Sequence, residues 1–279
     1  MPTFEREEVM TAQPLVERER ESAELLRALA LAAEHAGRVV MLEGPAGIGK
    51  TRLLAEGRAF AEERGFRVLA ACGDGVERDF AFGVVRQLLE RPLAEATRDE
   101  RRAMLDGAAR FAEPLFGLSP DAPAGPAIDL PFRRMHGLYW LCGNLAAERP
   151  LLISVDDLQW TDAPSLAFLD YLARRLDGTP ILVMLSARSG DPGAEKELVR
   201  RLAAAPGVNV LRPGPLSTAA ISVLAERAIG ASVQDDFPAA CRRLTGGVPL
   251  FVWELIRSLT SDGDPLTAAS AARVADLGA

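Results

Sequence analysis

A chain of 279 residues with 48% apolar side chains fits one large domain, or a core with a small appendage, and can bury a sizeable interior. A formal charge of -7 and a pI near 5.1 argue against a surface that neutralises nucleic-acid phosphates or lies on an anionic membrane. The acidic N-terminus lacks an apolar h-region and no run approaches ~20 apolar residues, so secretion and membrane spanning are set aside and a cytoplasmic location is expected.

The first predicted element is an amphipathic helix over 19–36, with apolar positions around Leu25, Leu26, Leu29 and Ala33 and Gly37 as its C′ residue. A short apolar strand over 38–43 follows at once and runs into Gly44-Pro45-Ala46-Gly47-Ile48-Gly49-Lys50-Thr51, after which a helix carries the chain to about residue 64. A second strand is predicted over 66–72, with helical patterns over 82–89, 100–111 and 132–147. Between the last two, 117–131 is rich in Pro, Ala, Gly and Asp and reads as an exposed, mobile loop. Strands over 151–155, 181–186 and, more weakly, 208–211 alternate with a helix over 165–176, which implies a parallel sheet covered on both faces. After Pro213-Gly214-Pro215 only helical segments are expected, which suggests a core over 1–213 and a helical lid over 214–279. The Ala-rich pattern over 268–277 has little to pack on. It suits either an excerpt of a longer polypeptide or a frayed terminal helix.

Cys72, Cys142 and Cys241 are far apart in apolar or amphipathic stretches and read as three buried thiols of a reducing compartment. His35 and His136 are isolated and are expected in structural roles, not as metal ligands. Trp160 and Trp253 are expected to be packing anchors.

The chemistry concentrates in the glycine-rich segment. Its glycines permit backbone conformations closed to residues with a Cβ, so successive N–H groups can converge on phosphate oxygens at a helix N-terminus. Lys50 adds a mobile positive charge for the β and γ phosphates, the Thr51 hydroxyl can ligate Mg²⁺, and Arg52 completes the set. Of the 32 basic residues only Lys50 and Lys196 are lysine, so a lysine at position 50 stands out against an arginine-rich background. The second half is the strand over 151–155 ending in Asp156 and Asp157, because desolvated carboxylates at a buried strand tip need a cation or several donors. Asp156 is the candidate Mg²⁺ residue, through water, and Asp157 the candidate to orient or deprotonate the attacking water. Asp157 reaches about one methylene less far than glutamate, which points to slow hydrolysis. The fourth strand ends at Ala187-Arg188, where Arg188 is either a γ-phosphate sensor or an ordinary surface arginine.

Taken in order, Leu15-Val16-Glu17-Arg18-Glu19, Gly44 to Thr51, Val155-Asp156-Asp157-Leu158-Gln159-Trp160-Thr161-Asp162, Ser186-Ala187-Arg188 and Thr245-Gly246-Gly247-Val248-Pro249-Leu250-Phe251 resemble a known pattern. It is the N-terminal AAA-like ATPase module of the large ATP-binding LuxR-type transcriptional regulators, members of the STAND class of signalling ATPases. The resemblance runs from about residue 13 to the end. It implies an α/β P-loop NTPase of ASCE type, with a parallel sheet of about five strands and a C-terminal helical lid. It further implies ATP or ADP with Mg²⁺ as cofactors, nucleotide between core and lid, and a γ-phosphate that biases self-association. Leu15, Val16 and Arg18 would lie beside the adenine, Arg188 would be the sensor, and Pro249 would close the pocket from the lid. The family often has Gly where Glu17 stands and Asn where Val248 stands. Effector-sensing and DNA-binding segments of full-length members are absent from these residues, so neither nucleic-acid nor membrane contact is credited to them.

Three functions compete on the residues alone: a conformational ATPase switch, a binding module that holds nucleotide with negligible turnover, and a P-loop phosphotransferase. The last is weakened because 213–279 reads as a sensor lid. A transport ATPase lacks its Leu-Ser-Gly-Gly-Gln element here, and a replication initiator would bring a basic DNA-contacting region.

Overall fold

The computed structural model describes residues 15–76, 78–118, 130–189 and 196–277. Helix α1, Glu19–Ala33, buries Leu25, Ala28, Leu29 and Ala32 and places Glu19 and Glu21 in the first turn, where carboxylates offset the positive end of the helix dipole. It ends earlier than the sequence suggests. His35, at φ 62°, takes the left-handed position expected of Gly37, and the bonds from His35 N to Ala32 O and from Ala36 N to Leu31 O close the helix. Gly37 is needed for another reason: a Cβ there would stand 2.4 Å from the Leu176 carbonyl oxygen.

Five strands follow: β1 (Arg38–Gly44), β2 (Arg67–Cys72), β3 (Leu151–Asp156), β4 (Ile181–Arg188) and β5 (Val208–Leu211). They form one parallel sheet in the order β2-β3-β4-β1-β5, as the α/β P-loop expectation requires. The central strands are uninterrupted apolar runs because both faces are covered: β3 and the first seven residues of β4 are buried throughout. Polar Ser154, fully buried in β3, is satisfied by Nη1 of Arg58 at 3.3 Å.

The intervening helices are α2 (Lys50–Glu63), α3 (Gly83–Glu95), α4 (Arg98–Met104), α5 (Leu130–Ala146), α6 (Ala163–Ala173) and α7 (Lys196–Ala203). The predicted helix over 100–111 is two elements. A capping box of Thr97 and Glu100 starts α4, and a separate 3-10 segment, Gly107–Phe116, begins at a glycine with φ 63° and contains Pro114. The expected loop over 117–131 is shortened because α5 starts at Leu130; residues 119–129 lie outside the described residues. Beyond β5 come α8 (Thr218–Ile229), α9 (Phe237–Thr245), α10 (Pro249–Ser261) and α11 (Ala268–Leu277).

By compactness the chain divides into two units. One takes its described residues from Met1–Ala23, Gly44–Leu53 and Arg212–Ala279, the other from Glu24–Glu43 and Leu54–Leu211. The second holds the large core, which includes Met41, Leu89, Leu141, Ile153, Phe168 and Val183. The first has its own core of Leu216, Ile221, Leu224, Phe237, Val252, Ile256 and Leu259, with Val16 and Trp253 packed on it. Trp253 is thus a packing residue as expected.

The cysteine expectation needs one correction. Cys142 and Cys241 are buried, and burial pushes their thiols up to about 12 and about 11, but Cys72 is exposed. It is the last residue of β2, an edge strand paired with one neighbour, β3. His136 is structural: its ring stacks on Phe132 at 5.8 Å, and its Nε2 accepts from Trp140 Nε1 at 3.0 Å. Among the described residues no helix is long and apolar enough to cross a membrane.

Candidate functional site

The glycine-rich segment joins a strand to a helix, as its phosphate reading requires: β1 ends on Gly44, and Lys50 and Thr51 open α2. Gly47 and Gly49 have φ of 76° and 101°, a region that side chains with a Cβ enter only under strain. At Gly47 space is also closed, since a Cβ would fall 2.8 Å from Leu250 Cβ. Ile48 is buried, Thr51 exposed and Arg52 half-buried. The Lys50 side chain curls back over its own loop, with Nζ donating to the carbonyls of Gly44 at 3.0 Å and Pro45 at 2.9 Å.

The residues the resemblance places at the adenine fall in the same compact unit as this loop. Arg18, only 5% exposed, donates from Nη2 to Ile48 O at 3.3 Å and to Gly214 O at 2.7 Å, and from Nη1 to Glu17 O at 2.8 Å. Desolvation pulls its guanidinium below the ordinary arginine value, with Glu21, Glu17 and Glu19 acting in the opposite sense. Glu17 stands at φ 59°, which accounts physically for the glycine found there in the resembled family; here its carboxylate also accepts from Ser217 N at 2.7 Å. Pro249 is the first residue of α10, and Leu250 N donates to Gly47 O at 3.1 Å.

The acidic half lies in the other compact unit. Register sets it: β3 and β4 pair Val155 with Leu185, so Asp156 meets Ser186 one step on. Asp156, 8% exposed, accepts on Oδ1 from the Ser186 hydroxyl and from Asp157 N at 3.0 Å, and Ser186 Oγ also accepts from Asp157 N at 3.0 Å. Asp157 has a left-handed backbone, φ 51°, and its Oδ1 accepts from Gln159 Nε2 at 2.7 Å and lies 3.8 Å from Arg188 Nε. Gln159 Oε1 in turn accepts from Arg188 N at 3.1 Å. The structure therefore brings together two sequence candidates, Asp157 and Arg188, through a glutamine that sequence reasoning passed over. Ser186 was missed too, although its place beside Asp156 follows once register is known. Asp162, two residues past Trp160, is buried for structural reasons: its carboxylate accepts from the amides of Phe82, Val84 and Ser165 and starts both α3 and α6.

The residue chemistry fits Mg²⁺. Both bonds of Asp156 fall on Oδ1, leaving Oδ2 for a cation or its water; in the other unit, taken by itself, Thr51 is exposed. Among the described residues no cluster of three or more His, Cys, Asp or Glu could cage a metal. Magnesium suits such sparse protein ligation, because it keeps several waters and takes phosphate oxygens alongside one or two protein oxygens.

A family model described as AAA ATPase domain matches residues 14–184. No curated protein matches the sequence. Among solved structures the chain is similar to the Aeropyrum pernix ORC2 protein in its ADPNP-ADP complexes, with a TM-score of 0.54 at 18% identity over 94% of this chain and 68% of that one. It is similar to the Aeropyrum pernix ORC1 protein in complex with DNA, with a TM-score of 0.52 at 18% identity over 93% of this chain. It spans 65% of that ORC1 chain. The K64R mutant of Thermotoga maritima RuvB gives a TM-score of 0.50 at 12% identity, over 94% of this chain and 70% of that one. At these identities the likeness carries the fold alone.

Proposed function

The chain belongs to the AAA ATPase domain family, and from that premise we propose that it is an ATP-binding, slowly hydrolysing regulatory switch whose nucleotide state controls conformation and self-association. The observation that carries the reading is the glycine segment between β1 and α2, with left-handed glycines at 47 and 49 and Lys50 at the head of the helix. In this reading the phosphates take the loop amides and the Lys50 ammonium, Thr51 and Asp156 serve Mg²⁺, Asp157 serves the attacking water and Arg188 senses the γ-phosphate. Val16 and Pro249 are the proposed apolar contacts to the rest of the nucleotide. The residues over 214–279 act as the lid of a core that ends near 213. Effector sensing and DNA binding, the outputs of the LuxR-type regulators it resembles, are not assigned to these residues, and the proposed location is cytoplasmic.

A second reading has a specific observation behind it. Asp157 already accepts from Gln159 on Oδ1, the same oxygen that lies near the Arg188 guanidinium, so the side chain assigned to the attacking water is held by protein partners. That favours a module that holds ATP and hardly turns it over.

Thermal unfolding with and without Mg²⁺-ATP tests the first claim. At a hundredfold excess over Kd the ligand adds about 2.7 kcal/mol, a rise of several degrees, and Lys50→Ala should lose it; equal curves for both proteins would end the proposal. Single-turnover assays with excess protein separate the readings: phosphate released over minutes supports the switch, and intact triphosphate after hours supports the holding module.

A further inference from the structure

We propose that Arg18 is a positioning residue for the phosphate loop, acting through its carbonyls and not as a contact to the base, and that with Glu17 it ties loop geometry to the start of the helical segment after Gly214. This rests on the nucleotide-binding reading above. A trans peptide unit is planar and its C=O and N–H point in opposite directions, so whatever holds a carbonyl also aims the next amide. Arg18 holds Ile48 O and thereby aims Gly49 N–H; Leu250 N holds Gly47 O and thereby aims Ile48 N–H. Two successive amides in the part of the loop that phosphate would use are therefore set by partners outside the loop. Charge strengthens the Arg18 bonds, because a guanidinium donates more strongly than a neutral group, and this one is almost fully buried.

The same guanidinium holds Gly214 O at 2.7 Å, and the neighbouring Glu17 carboxylate accepts from Ser217 N at 2.7 Å. Ser217 is the N-cap of α8, its hydroxyl accepting from Ala220 N. One dipeptide therefore fixes a loop peptide and both ends of the turn over 214–217. By reciprocity, phosphate that locks Gly49 N–H also stabilises this turn, and displacement of the turn weakens phosphate binding.

The test measures the affinity of the full chain for Mg²⁺-ATP and for Mg²⁺-tripolyphosphate, which has the phosphate chain without the base. It compares wild type, Arg18→Ala, Arg18→Lys and Lys50→Ala at a temperature well below every unfolding midpoint. Loss of a charge-assisted bond predicts that Arg18→Ala weakens both ligands by the same factor, roughly 10- to 100-fold. Arg18→Lys, whose ammonium cannot span both carbonyls as the fork does, should fall between the two and serves alone if the alanine variant does not fold. Weakened ATP with unchanged tripolyphosphate would make Arg18 a base contact, and no change in either would make its bonds mere packing; each result overturns the inference. Should Lys50→Ala bind both ligands like wild type, the nucleotide reading itself fails, a result distinct from failure at Arg18.

Discussion

The phosphate loop and the acidic strand tip are built by different means. In the loop four hydrogen bonds fall on backbone carbonyls: Lys50 on Gly44 O and Pro45 O, Arg18 on Ile48 O, Leu250 N on Gly47 O. At the strand tip side chains also bond one another, Ser186 to Asp156 and Gln159 to Asp157, with Arg188 beside the latter. A backbone-built site tolerates most side chains but demands particular dihedral angles, so its signature is where glycine stands. A side-chain site demands particular partners, and those come from wherever the register brings them.

Three substitutions sharpen that contrast. The largest effect is expected at Gly47→Ala, which must hold a Cβ at φ 76° and within 2.8 Å of Leu250 Cβ. It should cost on the order of 2 kcal/mol in stability and abolish ATP-dependent thermal protection. Calorimetry reads both, and full ATP protection in this variant would contradict a backbone-built loop. Next comes Ser186→Ala. If the hydroxyl orients Asp156 for the metal, the Mg²⁺ concentration needed for half-maximal ATP binding should rise roughly tenfold, while ADP binding without Mg²⁺ stays as in wild type. An unchanged Mg²⁺ requirement would reduce Ser186 to a packing role. Smallest, and opposite in sign, is Val248→Asn. Val248 precedes α10 and makes no side-chain cap bond, so an asparagine there should add about 0.5–1 kcal/mol and raise the unfolding midpoint by a few degrees without altering ATP affinity. A lowered midpoint would show that the valine packs better than an asparagine caps.

The same contrast explains what could be read in advance. Strand, loop and helix around Lys50 were legible because they are contiguous, and so were the five strands, because buried parallel strands are unbroken apolar runs. The left-handed residue after α1 was misassigned because His35 and Gly37 both precede the strand and only tertiary closeness to Leu176 tells which glycine is there for space. Ser186 and Gln159 were passed over for a related reason: nothing local marks a serine as opposite Asp156 until strand order and register are fixed. Arg18 was singled out only through the resemblance, and its donors go to Ile48 and Gly214, partners 30 and 196 residues away. Exposure of Cys72 followed from β2 lying at the sheet edge, a fact of strand order.

The most direct measurement is the set of backbone amide shifts of Gly47, Ile48, Gly49 and Thr51 in ¹⁵N-labelled protein on titration with Mg²⁺-ATP. Phosphate coordination by the loop predicts large, saturable shifts at these amides, reproduced by Mg²⁺-tripolyphosphate and lost in Lys50→Ala. Saturable ATP binding that leaves them in place while other amides move would contradict it.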